Sequence, residues 1–413
     1  MVSIFVIMKI IFINRFFYPD ESATSQILSD LAFYLSDRNY DIHIITSRQR
    51  YDNVSAKLPP IEITRSVKIY RIWTSRFGRD RLPGRLIDYL SFYICAFVQL
   101  FSICSRDDII IAKTDPPMLS IPARMIARLR KAKQVNWLQD LFPEVAMALG
   151  ILDKDGLIGK LMIKLRNSSL VNSDLNVVIG EHVKEKLIAE GVPENRIHVI
   201  HNWANGSIIQ PLTGTTNPLL EQWGLTGKFI VEHSGNLGRV HDFETVIDAA
   251  EILKHEKNIV FLFIGGGIKL EELAQEVFIR NLDNFVFKRH QPRETLRYSL
   301  GIADIHLVVL NKKMTGLIVP SKFYGICAAG KPVIFVGDNI GEIPEIVNST
   351  ESGVTVEQGD GDRLAELILR FKNNADIGKN MGANARKIFD ERFSVDIALS
   401  EWEKTLQRVS AGT

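Results

Sequence analysis

Residues 319–334 read VPSKFYGICAAGKPVI. This pattern predicts a helix opening at Pro320-Ser321-Lys322, then a Gly-Lys-Pro turn into a buried strand. Ser321 stands where it can cap that helix, and free amides at a helix mouth favour an anion. Lys322 adds positive charge at the same mouth, with Phe323 next in the first turn. Upstream, HSGNLGRVHDFETV (233–246) sets Gly235, Asn236, Leu237, Gly238 and Arg239 between a strand and a helix. Glycines there let backbone amides approach a ligand, and Arg239 is placed to pair with a phosphate. Two such junctions in one half of the chain point to a nucleotide-diphosphate site that needs no metal.

Outward from these junctions, apolar strand-like runs alternate with amphipathic stretches. KIIFIN (9–14), DIHIIT (41–46), DIIIAKT (108–114), LNVVIG (175–180), KFIVEHS (228–234), IVFLFIG (259–265), IHLVVL (305–310) and PVIFVG (332–337) read as strands. TSQILSDLAFYLSDR (24–38) and HVKEKLIAEG (182–191) read as helices between them. Such alternation predicts α/β architecture with parallel sheets covered on both faces. At 413 residues, two domains are expected. The Asn-, Gly-, Thr- and Pro-rich stretch 199–218 reads as the linker.

In IVFLFIGGGIKLEELAQ (259–275), Gly265 and Gly266 form either a tight turn or a bare surface for a nucleoside. Lys288, Arg289 and His290 follow another strand, as surface charge or beside a base. In the front half, NRFFYPDESATSQ (14–26) lacks the G-x-G-x-x-G that a dinucleotide-binding unit requires, which argues against an NAD or FAD enzyme. Asp20, Glu21 and Ser22 either cap a helix or touch a hydroxyl-rich substrate at the carboxyl edge of the sheet. VNWLQDLFPEVAMALG (135–150) places Asp140 and Glu144 around a proline, where they bind sugar hydroxyls, serve as a base, or cap and turn the chain.

Bulk properties exclude several classes. A net charge of +2 gives no nucleic-acid signature, although the first 200 residues are basic and the remainder acidic, as for a surface that meets something anionic. Cys95, Cys104 and Cys327 have neither the number nor the spacing of a disulfide framework or zinc site, so a reducing, cytosolic setting is expected. His198 and His201 lack the supporting cluster of a metal site. No P-loop or Gly-x-Ser-x-Gly elbow occurs. MVSIFVI (1–7) has no signal-peptide pattern and reads as an extension from an alternative start.

LIDYLSFYICAFVQLFSIC (86–104) is almost continuously apolar. Asp88, Gln99 and the serines weaken a transmembrane reading, leaving a core helix or a membrane-docking helix. Arg65, Lys68, Arg71, Arg76, Arg79, Arg81 and Arg85 precede it, either as a solvated face or as a basic flank for anionic lipid.

Taken in order, these motifs resemble the retaining glycosyltransferases of family 4. The likeness runs over nearly the whole chain: the Pro-containing loop after the first strand, QDLFPE, VIGEHVKEKLIAEGVPENRIHVIHNWAN, HSGNLGRVHDFETVIDAAEIL, FLFIGGG and VPSKFYGICAAGKPVI. It is strongest toward bacterial O-antigen, capsule and colanic-type enzymes, including N-acetyl-L-fucosamine transferases. The resemblance implies the GT-B fold of two facing Rossmann-like domains. Residues 1–203 would bind the acceptor, 204–389 the nucleotide sugar, and 390–413 would return as a helix to the first domain. Two departures stand out. The family's paired glutamates fall on Leu317 and Gly325, and the usual Arg and Lys of the glycine loop fall on Asn236 and His241.

By this resemblance the chain transfers a sugar from a UDP-sugar to an undecaprenyl-diphosphate-linked sugar. It would do so with retention, without metal or other cofactor, at the cytoplasmic membrane's inner face. Gly235, Asn236, Leu237, Gly238, Gly265, Gly266, Lys288, Ser321, Lys322 and Phe323 would bind the donor nucleotide. Tyr18, Pro19, Asp20, Glu21 and Ser22 would line the acceptor side. Lys322 and Arg239 would take up leaving-group charge, with Asp140 and Glu144 orienting acceptor or sugar. The rivals are a UDP-GlcNAc 2-epimerase-like enzyme, which needs no lipid acceptor, and a non-catalytic nucleotide- or sugar-binding protein.

Overall fold

A computed structural model describes residues 8–53, 55–78, 82–212 and 217–412. The extension expected over residues 1–7, Arg79, Arg81 and linker residues 213–216 lie outside them. The chain divides into two compact units, Met1–His201 with Ala398–Thr413, and Asn202–Ile397.

The first unit carries β1 (Lys9–Ile13), β2 (Asp41–Ser47), β3 (Ile61–Thr64), β4 (Val67–Ile72), β5 (Ile109–Ala112), β6 (Lys133–Leu138), β7 (Leu175–Val178) and β8 (Ile197–Val199). They form one sheet in the order β3-β4-β2-β1-β5-β6-β7-β8. The pairings are parallel except that of β3 with β4. The sheet is parallel, as expected, apart from this one edge hairpin. Only two residues, Arg65 and Ser66, join β3 to β4, both at positive φ; so short a link permits only a hairpin. The strand order reverses between β1 and β5, the place where open α/β sheets bind ligands.

The second unit carries β9 (Phe229–Ser234), β10 (Ile259–Ile264), β11 (Phe285–Lys288), β12 (Ile305–Val309), β13 (Val333–Gly337) and β14 (Gly353–Glu357). Their order is β11-β10-β9-β12-β13-β14, all parallel, with the reversal between β9 and β12. β10 shows why a continuous apolar run forms a central strand. Phe261 and Phe263 enter the core on one face, while Leu262 and Ile264 enter the core on the other. Each such side chain contributes roughly 1.5–3 kcal/mol on burial, which fixes the register because a one-residue slip would exchange the faces.

The apolar stretch 86–104 lies in a 22-residue helix, Leu82–Ile103. Phe92, Ala96 and Leu100 pack on Ile11, Ile13 and Ile110 of the first sheet. Pro83–Ile103 is long and apolar enough to cross a membrane, with only 22% of its most apolar window buried. Asp88 faces inward instead: it accepts from Ser75 Oγ (2.6 Å), Phe77 N (3.0 Å) and Gly78 N (3.0 Å), and lies 3.5 Å from buried Arg15. This buried polar cluster ties the helix to the sheet, and its outer stripe stays exposed. Of the basic residues read as its flank, three are engaged elsewhere. Arg65 pairs with Asp37, Lys68 with Asp41, and buried Arg71 with Glu62.

The terminal helix, Val395–Ala411, joins the first unit from Ala398 onward. Trp402 meets Trp137 at 4.5 Å between ring centres, both fully enclosed. Lys133 Nζ donates to the helix-end carbonyls of Val409 (2.6 Å) and Ser410 (2.7 Å). Residues 390–397, expected with this returning segment, belong to the second unit. Phe393 there packs edge-on to Tyr324 at 5.1 Å, and its carbonyl accepts from Ala204 N.

Candidate active site

In the second unit, the reversal between β9 and β12 is built from backbone. Gly235 follows β9 at φ +122°, and Gly235 N donates to Ile264 O (2.9 Å). Leu237 N donates to Gly266 O (2.8 Å), and Lys269 N to Leu237 O (3.0 Å). The two glycine loops are thereby zipped together. Gly265 sits at φ +142°, and a Cβ there would fall 2.1 Å from Gly235 O, so no other residue fits. The freedom at Gly265 thus serves this loop packing. Gly266 is more open, with only His290 near at 3.9 Å.

Lys322 reaches into this junction. Its Nζ lies 2.6 Å from His233 Nε2 on β9, and its Cε would meet a Cβ at Gly235 at 3.5 Å. Burial alone holds the Lys322 ammonium down to about 7. Among the described residues it has no carboxylate at ion-pair distance. Burial also pushes His233 well below its ordinary value, with further repulsion from Lys322, and brings His241 down to about 3. Both imidazoles are therefore neutral at pH 7. When Lys322 is protonated it donates to His233 Nε2, which places the ring proton on Nδ1. His233 stacks on Phe263 at 5.4 Å and meets Phe243 edge-on at 5.0 Å, so Lys322 points at a fixed acceptor.

The other donor-side residues are placed as follows. Ser321 precedes the short Lys322–Ala328 helix in helical conformation, and its hydroxyl makes no cap; this corrects the capping expectation, because an N-cap hydroxyl needs extended backbone. The Phe323 ring is core, edge-on to Phe393 at 6.0 Å, and its N–H donates to Pro320 O (3.2 Å). Lys288 presents its carbonyl to Gly265 N (2.9 Å), while its ammonium lies over Trp223. Asn236 and Arg239 are exposed. His241 Nδ1 lies 3.0 Å from Gly238 N, tightening the loop. Leu317 is buried, and a side chain at Gly325 would meet Leu300 and Ile209. Apolar packing thus occupies both positions where the family's glutamates are absent.

In the first unit, the corresponding reversal lies between β1 and β5. Arg15 N donates to Asp115 O (2.6 Å), and Lys113 N to Ile13 O (3.1 Å). Lys113 is enclosed, with Nζ 3.7 Å from the Trp137 ring centre and donating to Thr24 O (3.1 Å). Burial brings it down to about 7 against the pull of Asp115 and Asp140. Asp140 follows β6 beside a cavity of about 20 Å³ shared with Lys113, Ser120 and Arg166, room for about one water. Asp140 is an exposed residue, yet crowding of its carboxyl by protein and the Asp115 charge raise it to about 6, against the pull of Lys113.

Glu144 is not brought into this group. Its carboxylate pairs with buried Arg166, which also binds Glu190 at 2.7 Å. On the acceptor-side loop, the carboxylate of buried Asp20 accepts from Ser22 N (2.9 Å) and Tyr51 N, and Ser22 Oγ donates to Asp20. Asp20 and Ser22 therefore serve the turn. Tyr18 and Glu21 are exposed and Pro19 half-buried. His198 pairs with Glu401 (3.0 Å), and His201 Nδ1 lies 3.2 Å from Ile179 O.

Sequence reading passed over His233, Lys113 and a buried pair under the second site. Glu232 on β9 lies 3.9 Å from His306 on β12, both fully buried. Burial pushes Glu232 well up and His306 down to about 3, so both are neutral. Polar residues within or directly after buried parallel strands were the available signal.

The second unit thus sets the Lys322 ammonium against His233 and the backbone of Gly235 at the reversal of its sheet. Residues 23–203 match the family described as Glycosyl transferase 4-like domain, and residues 219–388 match Glycosyl transferases group 1. The probable glycosyltransferase WbjE of Pseudomonas aeruginosa is 28% identical over 79% of this chain and 81% of its own. The putative colanic acid biosynthesis glycosyl transferase WcaI of Escherichia coli K12 is 24% identical over 84% of this chain and 88% of its own. Among solved structures, Anabaena HepE in complex with UDP superposes with a TM-score of 0.74 at 15% identity, covering 97% of this chain and all of that one. The fold is GT-B: two Rossmann-like α/β domains with parallel sheets. The chain carries a glycosyl transferase 4-like domain followed by a glycosyl transferases group 1 domain, and it is a glycosyltransferase.

Proposed function

We propose that this glycosyltransferase moves a sugar from a UDP-sugar to a lipid-diphosphate-linked sugar during bacterial surface-polysaccharide synthesis. The lipid is undecaprenyl, the reaction retains anomeric configuration, and the donor sugar is N-acetylated, with N-acetyl-L-fucosamine the leading candidate. The enzyme works at the inner face of the cytoplasmic membrane. The likeness to WcaI, described as a putative colanic acid biosynthesis glycosyl transferase, and the UDP bound to HepE support this reading.

The observation that carries it is Lys322, a half-buried cation with no carboxylate at ion-pair distance among the described residues, set against bare backbone at Gly235. Breaking the sugar–oxygen bond puts charge on the diphosphate, and a preorganised cation in a poorly hydrated site stabilises it strongly. Lys322 takes that role, with Arg239 on the exposed side of the loop, in place of a metal. The leaving phosphate deprotonates the acceptor hydroxyl on the same face of the sugar. Asp140 orients the acceptor, assisted by Tyr18 and Glu21.

The test is transfer from a panel of labelled nucleotide sugars to undecaprenyl-diphosphate-GlcNAc, with EDTA present. The expected result is UDP release with a lengthened lipid-linked glycan of retained configuration. Conversion of UDP-GlcNAc to its 2-epimer without acceptor would assign the chain to epimerases instead.

A further inference from the structure

The Leu82–Ile103 helix is one of three that lie together on one side of the first sheet. The Ser120–Arg130 helix packs against it and against the Leu157–Val171 helix. Arg130 joins the first two, donating to Phe101 O (2.6 Å) with its guanidinium over the Phe101 ring. Each helix buries one face and leaves large aliphatic side chains in solvent on the other. On the first these include Leu90, Ile94 and Val98, spaced four residues apart, so they form a single stripe. On the second they are Met125 and Leu129. On the third they are Leu157, Ile158, Leu161 and Leu165, with Leu157 87% exposed. Trp73 and Phe77 are exposed in the segment that Asp88 ties to the first helix. An apolar surface running across three adjacent helices exceeds what isolated exposed residues account for.

Charge distinguishes the possible occupants. The three helices contain one acidic residue, Asp88, and it is buried. Their solvent-facing cations include Arg128 on the second helix and Lys160 and Lys164 on the third. Exposed Asp107, Asp153 and Asp155 lie in the loops beyond the helix ends. A surface of aliphatic residues interleaved with cations alone, edged by Trp73 and Phe77, complements an anionic bilayer. A second copy would set these cations against themselves. We propose that the outer faces of all three helices form one docking surface for anionic phospholipid. The second and third helices also contribute Ser120 and Arg166 to the Asp140 cavity, so a membrane-seated acceptor would lie near it.

This inference deepens the proposed function and rests on its lipid-linked acceptor, so its test separates the two. The full chain is floated with phosphatidylglycerol or phosphatidylcholine vesicles at low and high salt. Wild-type protein is expected to float with the anionic vesicles and to be released by salt. Ile94→Glu/Val98→Glu on the first helix and Lys160→Glu/Lys164→Glu on the third should each lower vesicle affinity by more than about tenfold. Thermal stabilisation by UDP should be unchanged in both variants. Absence of flotation, or loss from the first-helix variant alone, would overturn the three-helix surface. So would a wild-type dimer, seen by light scattering, that the same substitutions dissociate. If UDP stabilises the fold and vesicles do not bind, only the docking surface fails. If vesicles bind and no nucleotide stabilises, the transferase reading fails and the surface stands.

Discussion

Each unit places a lysine at the reversal of its sheet, Lys113 enclosed and Lys322 half-buried, and crowding by protein brings both ammonium groups down to about 7. Lys113 is surrounded by partners that belong to the protein: the Trp137 face, the Thr24 carbonyl, and the charges of Asp115 and Asp140. Lys322 has a neutral imidazole and glycine backbone, and no carboxylate among the described residues. The same residue on the same edge of the same kind of sheet therefore does two jobs. One lysine completes a core, and the other remains short of an anion.

Substitution sharpens this contrast. Lys113→Ala removes the donor to the Thr24 carbonyl and opens space beside Trp137. It should lower unfolding free energy by about 2–4 kcal/mol in urea titrations. A loss below about 1 kcal/mol would mean that Lys113 is not structural. Lys322→Ala should instead leave stability unchanged or improved. Its turnover barrier should rise by about 2–4 kcal/mol, as when an oxyanion donor is lost. Near-normal turnover would remove Lys322 from the mechanism.

The pH dependence provides a finer test. Unliganded Lys322 loses its proton near 7, whereas a bound diphosphate favours the charged form. Binding above pH 7 must then take up a proton. UDP affinity should be flat below about pH 7 and fall by up to about tenfold per pH unit above it. Lys322→Arg, which stays charged, should bind UDP without that slope in calorimetry from pH 6 to 9. An identical slope in the Arg variant would place the titration elsewhere.

The smallest effect is expected beneath the site. Glu232 is held well above its ordinary value, so it favours folding most below about pH 4.5, and that advantage is lost as pH rises toward its folded value. Glu232→Gln should keep the shape and remove this slope, giving equal or higher Tm at pH 8. A lower Tm there would show that the ionised carboxylate has a partner.

Much of the fold could be read in the sequence because central parallel strands are buried on both faces, and IVFLFI or IHLVV admits little else. The strands that escaped notice are short or mixed. VKIYRI alternates apolar with basic residues, and Ile61 and Ile63 of β3 lie exposed on an edge. The site was less legible because its chemistry depends on what each residue meets. Asp20 and Glu144 look like Asp140 on paper, yet one closes a turn and another pairs with Arg166. Gly265 signals close approach, but only the fold shows that the approaching group is Gly235 O. His233 heads the HSGNLG stretch, yet nothing in that motif marks it as the residue that meets Lys322.

The most direct measurement is thermal unfolding of the wild type and Lys322→Ala with UDP, GDP, dTDP and CDP, each with EDTA. At about 100 times its dissociation constant, a ligand adds about 2.7 kcal/mol of stability. UDP should give the wild type that gain with EDTA present, and Lys322→Ala should lose most of it at the same concentration. Equal stabilisation of both proteins, or none by any nucleotide, would contradict the assignment of Lys322 as the cation that receives the diphosphate.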